Sequence, residues 1–186
     1  MKLYIKNMVC NRCSILVKAE LEKQGLHILS VSLGEAEIQG SISLSKQKVL
    51  EANLSIYGFE LIQDKNGQLI EKIKNTVVEL IHHSTEDINT TYSVYISRKL
   101  NHDYSYLSKL FSESNGMTLE QYIIAQKIEK VKELIVYDEL SLGDIAHKMH
   151  YSSIAHLSRQ FKSITGFTPS AFKKLKHNLR KSIEEI

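Results

Sequence analysis

The sequence has no tryptophan, one proline and two cysteines in 186 residues. The cysteines stand three positions apart, so a disulfide framework is excluded as the source of stability. No apolar run approaches the roughly 20 residues a bilayer helix needs, which excludes a membrane-spanning segment. The opening Met1-Lys2-Leu3-Tyr4-Ile5-Lys6 turns polar too soon for the apolar core of a signal peptide. The expectation is a cytoplasmic protein with no membrane partner. A single proline and eight glycines point to regular structure with few loops. What is present is ordinary globular composition, 42% hydrophobic and 24% charged. A net charge of +3 is too small to name a partner, so the placement of charge matters more.

That placement is uneven. Residues 141–183 carry eight Lys and Arg (Lys148, Arg159, Lys162, Lys173, Lys174, Lys176, Arg180, Lys181) against one acid, Asp144. A basic concentration of this kind suits a polyanion or a solvated helix face.

Two regions differ in hydrophobic period. In residues 1–66 the period alternates. Residues 2–6 read as a strand, and Leu16, Val17 and Leu21 fall at helical spacing before Gly25. Leu29, Val31 and Leu33 alternate as in a strand, Gly34 allows a tight turn, and residues 35–40 return. Ser45 is read as the cap of a second helix carrying Val49, Leu50, Leu54 and Ile56, and residues 59–62 as the last strand. The order β-α-β-β-α-β is that of a split-βαβ or ferredoxin-like unit. Asp64-Lys65-Asn66-Gly67 is the turn-rich boundary, which divides the chain into domains 1–66 and 67–186. Beyond it the pattern is all helical. Ile70, Ile73, Val77, Leu80 and Ile81 open it, and residues 118–137 form a long helix with Thr118 and Glu120 near its start. Leu119, Ile123, Ile124, Ile128, Val131, Leu134 and Ile135 lie on its buried side.

The helical half contains a repeat. Leu107-Ser108-Lys109-Leu110-Phe111 and Leu157-Ser158-Arg159-Gln160-Phe161 share Leu-Ser-basic-X-Phe at an offset of 50 residues. Each is followed by Gly-X-Thr, at Gly116 and Gly166, and each is preceded by a short helix and a turn. Helix, short turn, helix is the DNA-reading arrangement whose second helix enters the major groove. Leu and Phe at i and i+4 anchor that helix, and the Ser and basic residue between them face outward.

From about 71 to 176 the sequence resembles the AraC/XylS-type DNA-binding domain. The residues that carry the resemblance are Ser141-Leu142-Gly143-Asp144-Ile145-Ala146, Tyr151-Ser152-Ser153, residues 157–162, and Gly166-Phe167-Thr168-Pro169-Ser170-Ala171-Phe172-Lys173-Lys174. The first unit matches more loosely, with polar Asn89-Thr90-Thr91 before Tyr92. The resemblance implies two helix-turn-helix units joined by the helix at 118–137, their recognition helices reaching successive major grooves roughly 34 Å apart. It places Ser105, Tyr106, Ser108 and Lys109 outward on the first recognition helix, and Ile154, Ala155, His156 and Arg159 on the second. Arg159 would grip guanine O6/N7 or a phosphate, and Ile154 and Ala155 would meet thymine methyls. His156 would donate to a base or a phosphate, or stay merely exposed. Lys162, Lys173 and Lys174 would neutralise phosphates, which position rather than specify.

The cysteines form Cys10-Asn11-Arg12-Cys13 between the first strand and the first helix. Two thiolates at a helix start, beside Arg12, can share one soft cation. Two sulfurs suit Cu(I) or a mercuric ion, whereas zinc needs further ligands. Met8-Val9-Cys10-Asn11-Arg12-Cys13 in the first loop of βαββαβ resembles the heavy-metal-associated domain of copper chaperones and metal-pumping ATPases. Val17, Leu21, Ser30-Val31-Ser32-Leu33 and Tyr57-Gly58-Phe59 extend the match over residues 1–63. The resemblance implies Cys10 and Cys13 as metal ligands, Cu(I) first with Zn or Hg as alternatives, and Met8 as a packed residue. Asn7 stands where that family usually carries glycine.

Together these features describe an α+β ferredoxin-like domain followed by an all-α AraC-type double helix-turn-helix domain. No nucleophile–base pair, phosphate loop or carboxylate dyad stands out, so no enzyme is expected. The expected function is a bacterial-type transcription regulator that binds a double-stranded operator, with RNA polymerase as a further partner and a homodimer as an option. A soft metal at Cys10 and Cys13 would modulate DNA binding or activation. The alternatives are a front domain used for thiol redox, organic-ligand binding or dimerisation, or a metal chaperone or scavenger.

Overall fold

The computed structural model describes residues 1–84 and 90–175. Asn89, Lys176, Arg180 and Lys181 of the sequence reading lie outside them. Two compact units divide between Thr76 and Val77. Among the described residues, no helix is long and apolar enough to cross a membrane.

The first unit is built from β1 (Lys2–Lys6), α1 (Asn11–Lys23), β2 (Ile28–Ser32), β3 (Glu35–Ile38), α2 (Leu44–Ile56) and β4 (Glu60–Ile62). The strands form one sheet in the order β2-β3-β1-β4, with every neighbouring pair antiparallel. Alternation in β1 sends Leu3 and Ile5 into a core with Val17 and Leu21 of α1, Ala36 and Ile38 of β3, and Leu50 and Leu54 of α2. Tyr4 takes the opposite face of the sheet, where the Lys72 ammonium lies 4.8 Å from its ring centre.

Three local expectations change. Leu29 is exposed, because a register shift between Ile28 and Ser30 turns Ile28 toward the core instead. A bulge of this kind breaks the strict two-residue period that the sequence suggested. Ser43, and not Ser45, caps α2: its hydroxyl accepts the Lys46 backbone N–H at 3.4 Å. Val49 and Ile56 of that helix stay exposed. The stretch Asp64–Gly67 is a helix start rather than a linker. The Asp64 carboxylate accepts the Gly67 N–H at 2.6 Å, and α3 (Lys65–Val78) begins at once. The division into two units therefore falls inside α3, ten residues beyond the expected boundary.

In the second unit α3 ends in a π-helical turn, Glu79–His83. Then follow α4 (Tyr92–Leu100), α5 (Tyr104–Asn115), α6 (Leu119–Tyr137), α7 (Leu142–Lys148), α8 (Ile154–Thr165) and α9 (Pro169–Leu175). Thr118 starts α6 through a reciprocal capping box with Gln121, and Glu120 lies in the first turn. Ser141 and Asp144 cap α7 in the same way. Gly116 and Gly166 end α5 and α8 with φ of 68° and 80°, where a side chain would be strained. Leu119, Ile123, Ile128, Val131 and Ile135 of α6 are buried, while Ile124 and Leu134 are only half-buried.

Candidate nucleic-acid interface and thiol pair

The interface is set by two helix pairs of the same design. In the first, α4 and α5 are joined through Asn101, whose φ of 55° turns the chain. Asn tolerates that left-handed conformation better than most side chains. Leu107, Leu110 and Phe111 hold α5 to the core, and the Phe111 ring meets Tyr122 of α6 at 5.2 Å. In the second, α7 and α8 are joined through His150, with φ of 53°. Leu157 and Phe161 hold α8, and the Phe161 ring meets Phe172 of α9 edge-on at 5.4 Å. The apolar anchors leave the intervening residues on the outer face.

On α5, Ser105, Tyr106 and Lys109 are exposed and Ser108 is half-buried. The Tyr106 ring packs against His102 at 5.6 Å, and Lys109 lies 4.0 Å from Glu113. On α8, Ile154, Ala155, His156, Arg159 and Lys162 are all exposed. Ser153 caps this helix by accepting the His156 N–H at 3.1 Å. The His156 Nδ1 is shared with the Ser152 hydroxyl at 3.1 Å, which leaves Nε2 as the outward nitrogen. The Tyr151 ring stands edge-on to His156 at 5.3 Å. Ser152 and Tyr151 thus orient a residue of the candidate interface, a role that sequence reading did not assign. Their position in the turn just before α8 was the available signal. Lys174 is exposed, whereas Lys173 pairs with Asp138 at the end of α6.

The thiol pair closes the β1–α1 loop in the first unit. Asn7 adopts φ of 70°, a conformation that glycine accepts freely, and its side-chain amide donates to the Gly58 carbonyl at 2.8 Å. Met8 is fully buried in the core. Cys10 precedes α1, and its Sγ lies 3.5 Å from that of Cys13. Both thiols are free and half-buried. Burial alone would push Cys10 up, but hydrogen bonds from Cys13 and Arg12 and the Arg12 charge hold it below the ordinary thiol range. Burial, aided by the neighbouring Cys10, pushes Cys13 up. Among the described residues, no cluster of three or more His, Cys, Asp or Glu could hold a metal. The two sulfurs by themselves suit a soft ion that accepts two ligands, and not a four-coordinate zinc site.

Comparison with known proteins bears on the helical half. Residues 96–175 match the family described as "Helix-turn-helix domain". The chain is 26% identical over 109 residues to YtdP of Bacillus subtilis strain 168, named an uncharacterized HTH-type transcriptional regulator; this spans 59% of the chain and 14% of YtdP. It is 27% identical over 130 residues to the Msm operon regulatory protein of Streptococcus mutans, spanning 68% of the chain and 45% of that protein. The chain thus spans less than half the length of these two relatives. Its fold is similar to the C-terminal domain of AraT, a response regulator from Geobacillus stearothermophilus. That likeness has a TM-score of 0.50 at 17% identity, over 64% of this chain and 96% of that one. These relatives are named as regulators. Residues 96–175 are thus similar to a helix-turn-helix domain, and the two curated relatives are named as a transcriptional regulator and an operon regulatory protein.

Proposed function

We propose that this chain is a sequence-specific, operator-binding transcription regulator that works in the cytoplasm. Its helical half would be a DNA-binding domain of the AraC type, whose two helix pairs would read adjacent major grooves through α5 and α8. The observation that carries the reading is the duplicated helix pair on either side of α6, each recognition helix anchored by buried Leu and Phe and exposing basic and polar residues. Arg159 would read guanine, and Ile154 and Ala155 would face thymine methyls. Ser105, Tyr106, Ser108 and Lys109 would contact the neighbouring groove, and His156 a base or phosphate through Nε2. Lys162 and Lys174 would neutralise phosphates, and Lys173 would do so only by leaving Asp138. Control of an operon through RNA polymerase, on one copy of the chain or on a homodimer, fits this role.

The front unit would be the sensor. Its β-α-β-β-α-β order and its β2-β3-β1-β4 sheet support a ferredoxin-like, heavy-metal-associated reading. Cys10 and Cys13 would hold a soft ion, Cu(I) above all, and the ion would supply a fixed bridge between α1 and the loop before it. The 3.5 Å sulfur separation and the Asn7 turn support this role. The unequal thiols favour a second reading, a redox switch in which Cys10 is the attacking sulfur and Cys13 the resolving one.

The test is operator affinity of the reduced protein at fixed salt, titrated with Cu(I), Zn(II), a thiol oxidant and buffer, alongside a Cys10→Ser/Cys13→Ser variant. A metal-dependent shift that the variant lacks supports metal sensing. A shift with oxidant alone supports the redox switch. Equal operator binding throughout removes both and leaves the regulator. Loss of all sequence preference in the wild type overturns the regulator.

A further inference from the structure

Lys127 lies on α6 between Ile123 and Val131, four residues from each, so it occupies the buried stripe of that helix. It is only 8% exposed. Its ammonium stands 4.0 Å from the ring centre of Tyr151 and 5.2 Å from that of Tyr92. Among the described residues, no carboxylate lies within ion-pair distance of it. Burying an unpaired ammonium is costly, and burial pushes Lys127 down to about 8. Two ring faces offset part of that cost, because their negative quadrupoles attract a desolvated cation strongly.

The three residues come from three places. Tyr92 is the first residue of α4, at the entry to the first helix-turn-helix unit. Tyr151 lies in the turn of the second unit, and its hydroxyl donates to the Gln160 side chain on α8 at 2.7 Å. His150, in the same turn, meets the Tyr92 ring edge-on at 6.3 Å. A continuous path thus runs from α4 through Lys127 to Tyr151 and on to the second recognition helix. Neither an apolar residue nor a shorter cation at position 127 would bridge the two rings.

We propose that Lys127 is a positioning residue that fixes the second recognition helix relative to the first helix-turn-helix unit, acting through the faces of Tyr92 and Tyr151. The proposal rests on the reading of both units as DNA contacts. Its consequence is specific. Each unit keeps its own helix and its own outward residues, but the spacing between them loosens when the ammonium is removed.

The full-length chain would first select a duplex from random DNA. Binding is then measured on that duplex and on versions with either half-site scrambled, for the wild type, Lys127→Met and Lys127→Arg. Lys127→Met is expected to lose about tenfold in full-site affinity while half-site affinity changes less than about twofold. Lys127→Arg keeps a cation over the rings and is expected to stay within about threefold of the wild type. Should Lys127→Met fail to fold, Tyr92→Leu tests the same path by removing one ring, with the same selective loss, while Tyr92→Phe keeps the ring and binds normally. An unchanged full-to-half ratio in Lys127→Met, or equal loss in Met and Arg variants, overturns the positioning role alone. A wild-type chain that selects no duplex overturns the DNA-reading on which it stands, and the role with it.

Discussion

The two helix-turn-helix units share a design and differ in charge. The first recognition helix, α5, follows Asp103, carries Glu113, and has Lys109 within 4.0 Å of that acid. The second, α8, has no acid between Ile154 and Thr165 and exposes Arg159 and Lys162. Their starts differ as well. Ser153 caps α8 through its hydroxyl, whereas the Asp103 side chain makes no capping bond to α5. Similar anchoring with unequal charge means that the repeat keeps one packing scheme while its two outer faces differ. On the proposed DNA reading, a division of labour would give the second helix pair most of the phosphate and guanine contact, and the first sequence preference by polar contact.

The largest expected effect tests whether the anchoring is equal. Phe111 and Phe161 are both fully buried. Phe111→Ala and Phe161→Ala should each cost about 3–5 kcal/mol in denaturant unfolding. A difference of more than about 2 kcal/mol between them would break the symmetry of the two cores.

Next is a pH effect where the π-helical turn meets the first half of α6. The His82 ring Nε2 and the Gln126 amide oxygen are 2.8 Å apart, and burial depresses the histidine to about 4. Unfolded, it would take a proton near pH 6.5. Between those values the unfolded chain holds more protons, so this contribution is complete above about 6.5 and is lost as pH falls through 4. It amounts to at most about 3 kcal/mol. Thermal melts from pH 7 to 4 should show the loss, and His82→Gln should flatten it.

The charge difference itself is sharpened by two alanine variants. Arg159→Ala should cost about 1–3 kcal/mol in operator affinity and relax preference at one base pair. Lys109→Ala should cost less, because Glu113 already competes for that ammonium. If Lys109→Ala costs more than Arg159→Ala in the same binding assay, the division of labour is reversed.

The smallest effect concerns helix starts. Ser141→Ala removes a reciprocal capping box and should cost about 1 kcal/mol of stability. Asp103→Ala, with no capping bond to lose, should lie within about 0.5 kcal/mol of the wild type. Chemical denaturation of both variants compares them directly.

Much of the fold is visible along the chain because its signals are local. The 3.6-residue stripe of α6, the Gly116 and Gly166 stops and the paired Leu-Phe anchors each need only a few neighbouring residues. What escaped depends on partners distant in sequence or on local signals that fit two readings. The bulge that exposes Leu29 arises from pairing with β3. The cap at Ser43 depends on where the backbone turns, and two serines two residues apart look equal to any local rule. Asp64 has turn chemistry that serves a helix start equally well. Lys173 had the right charge and place for a phosphate, yet its pairing with Asp138 becomes visible only once α6 and α9 meet.

Element order, the duplicated helix pair and the adjacency of the two thiols are all legible along the chain, because period and spacing act within one or two helical turns. Tertiary structure decided which charges remain available, which thiol is pushed down and which up, and why a lysine stands among the buried residues of α6. Those properties depend on desolvation and on side chains brought within a few ångströms by packing, and no stretch of sequence carries them alone.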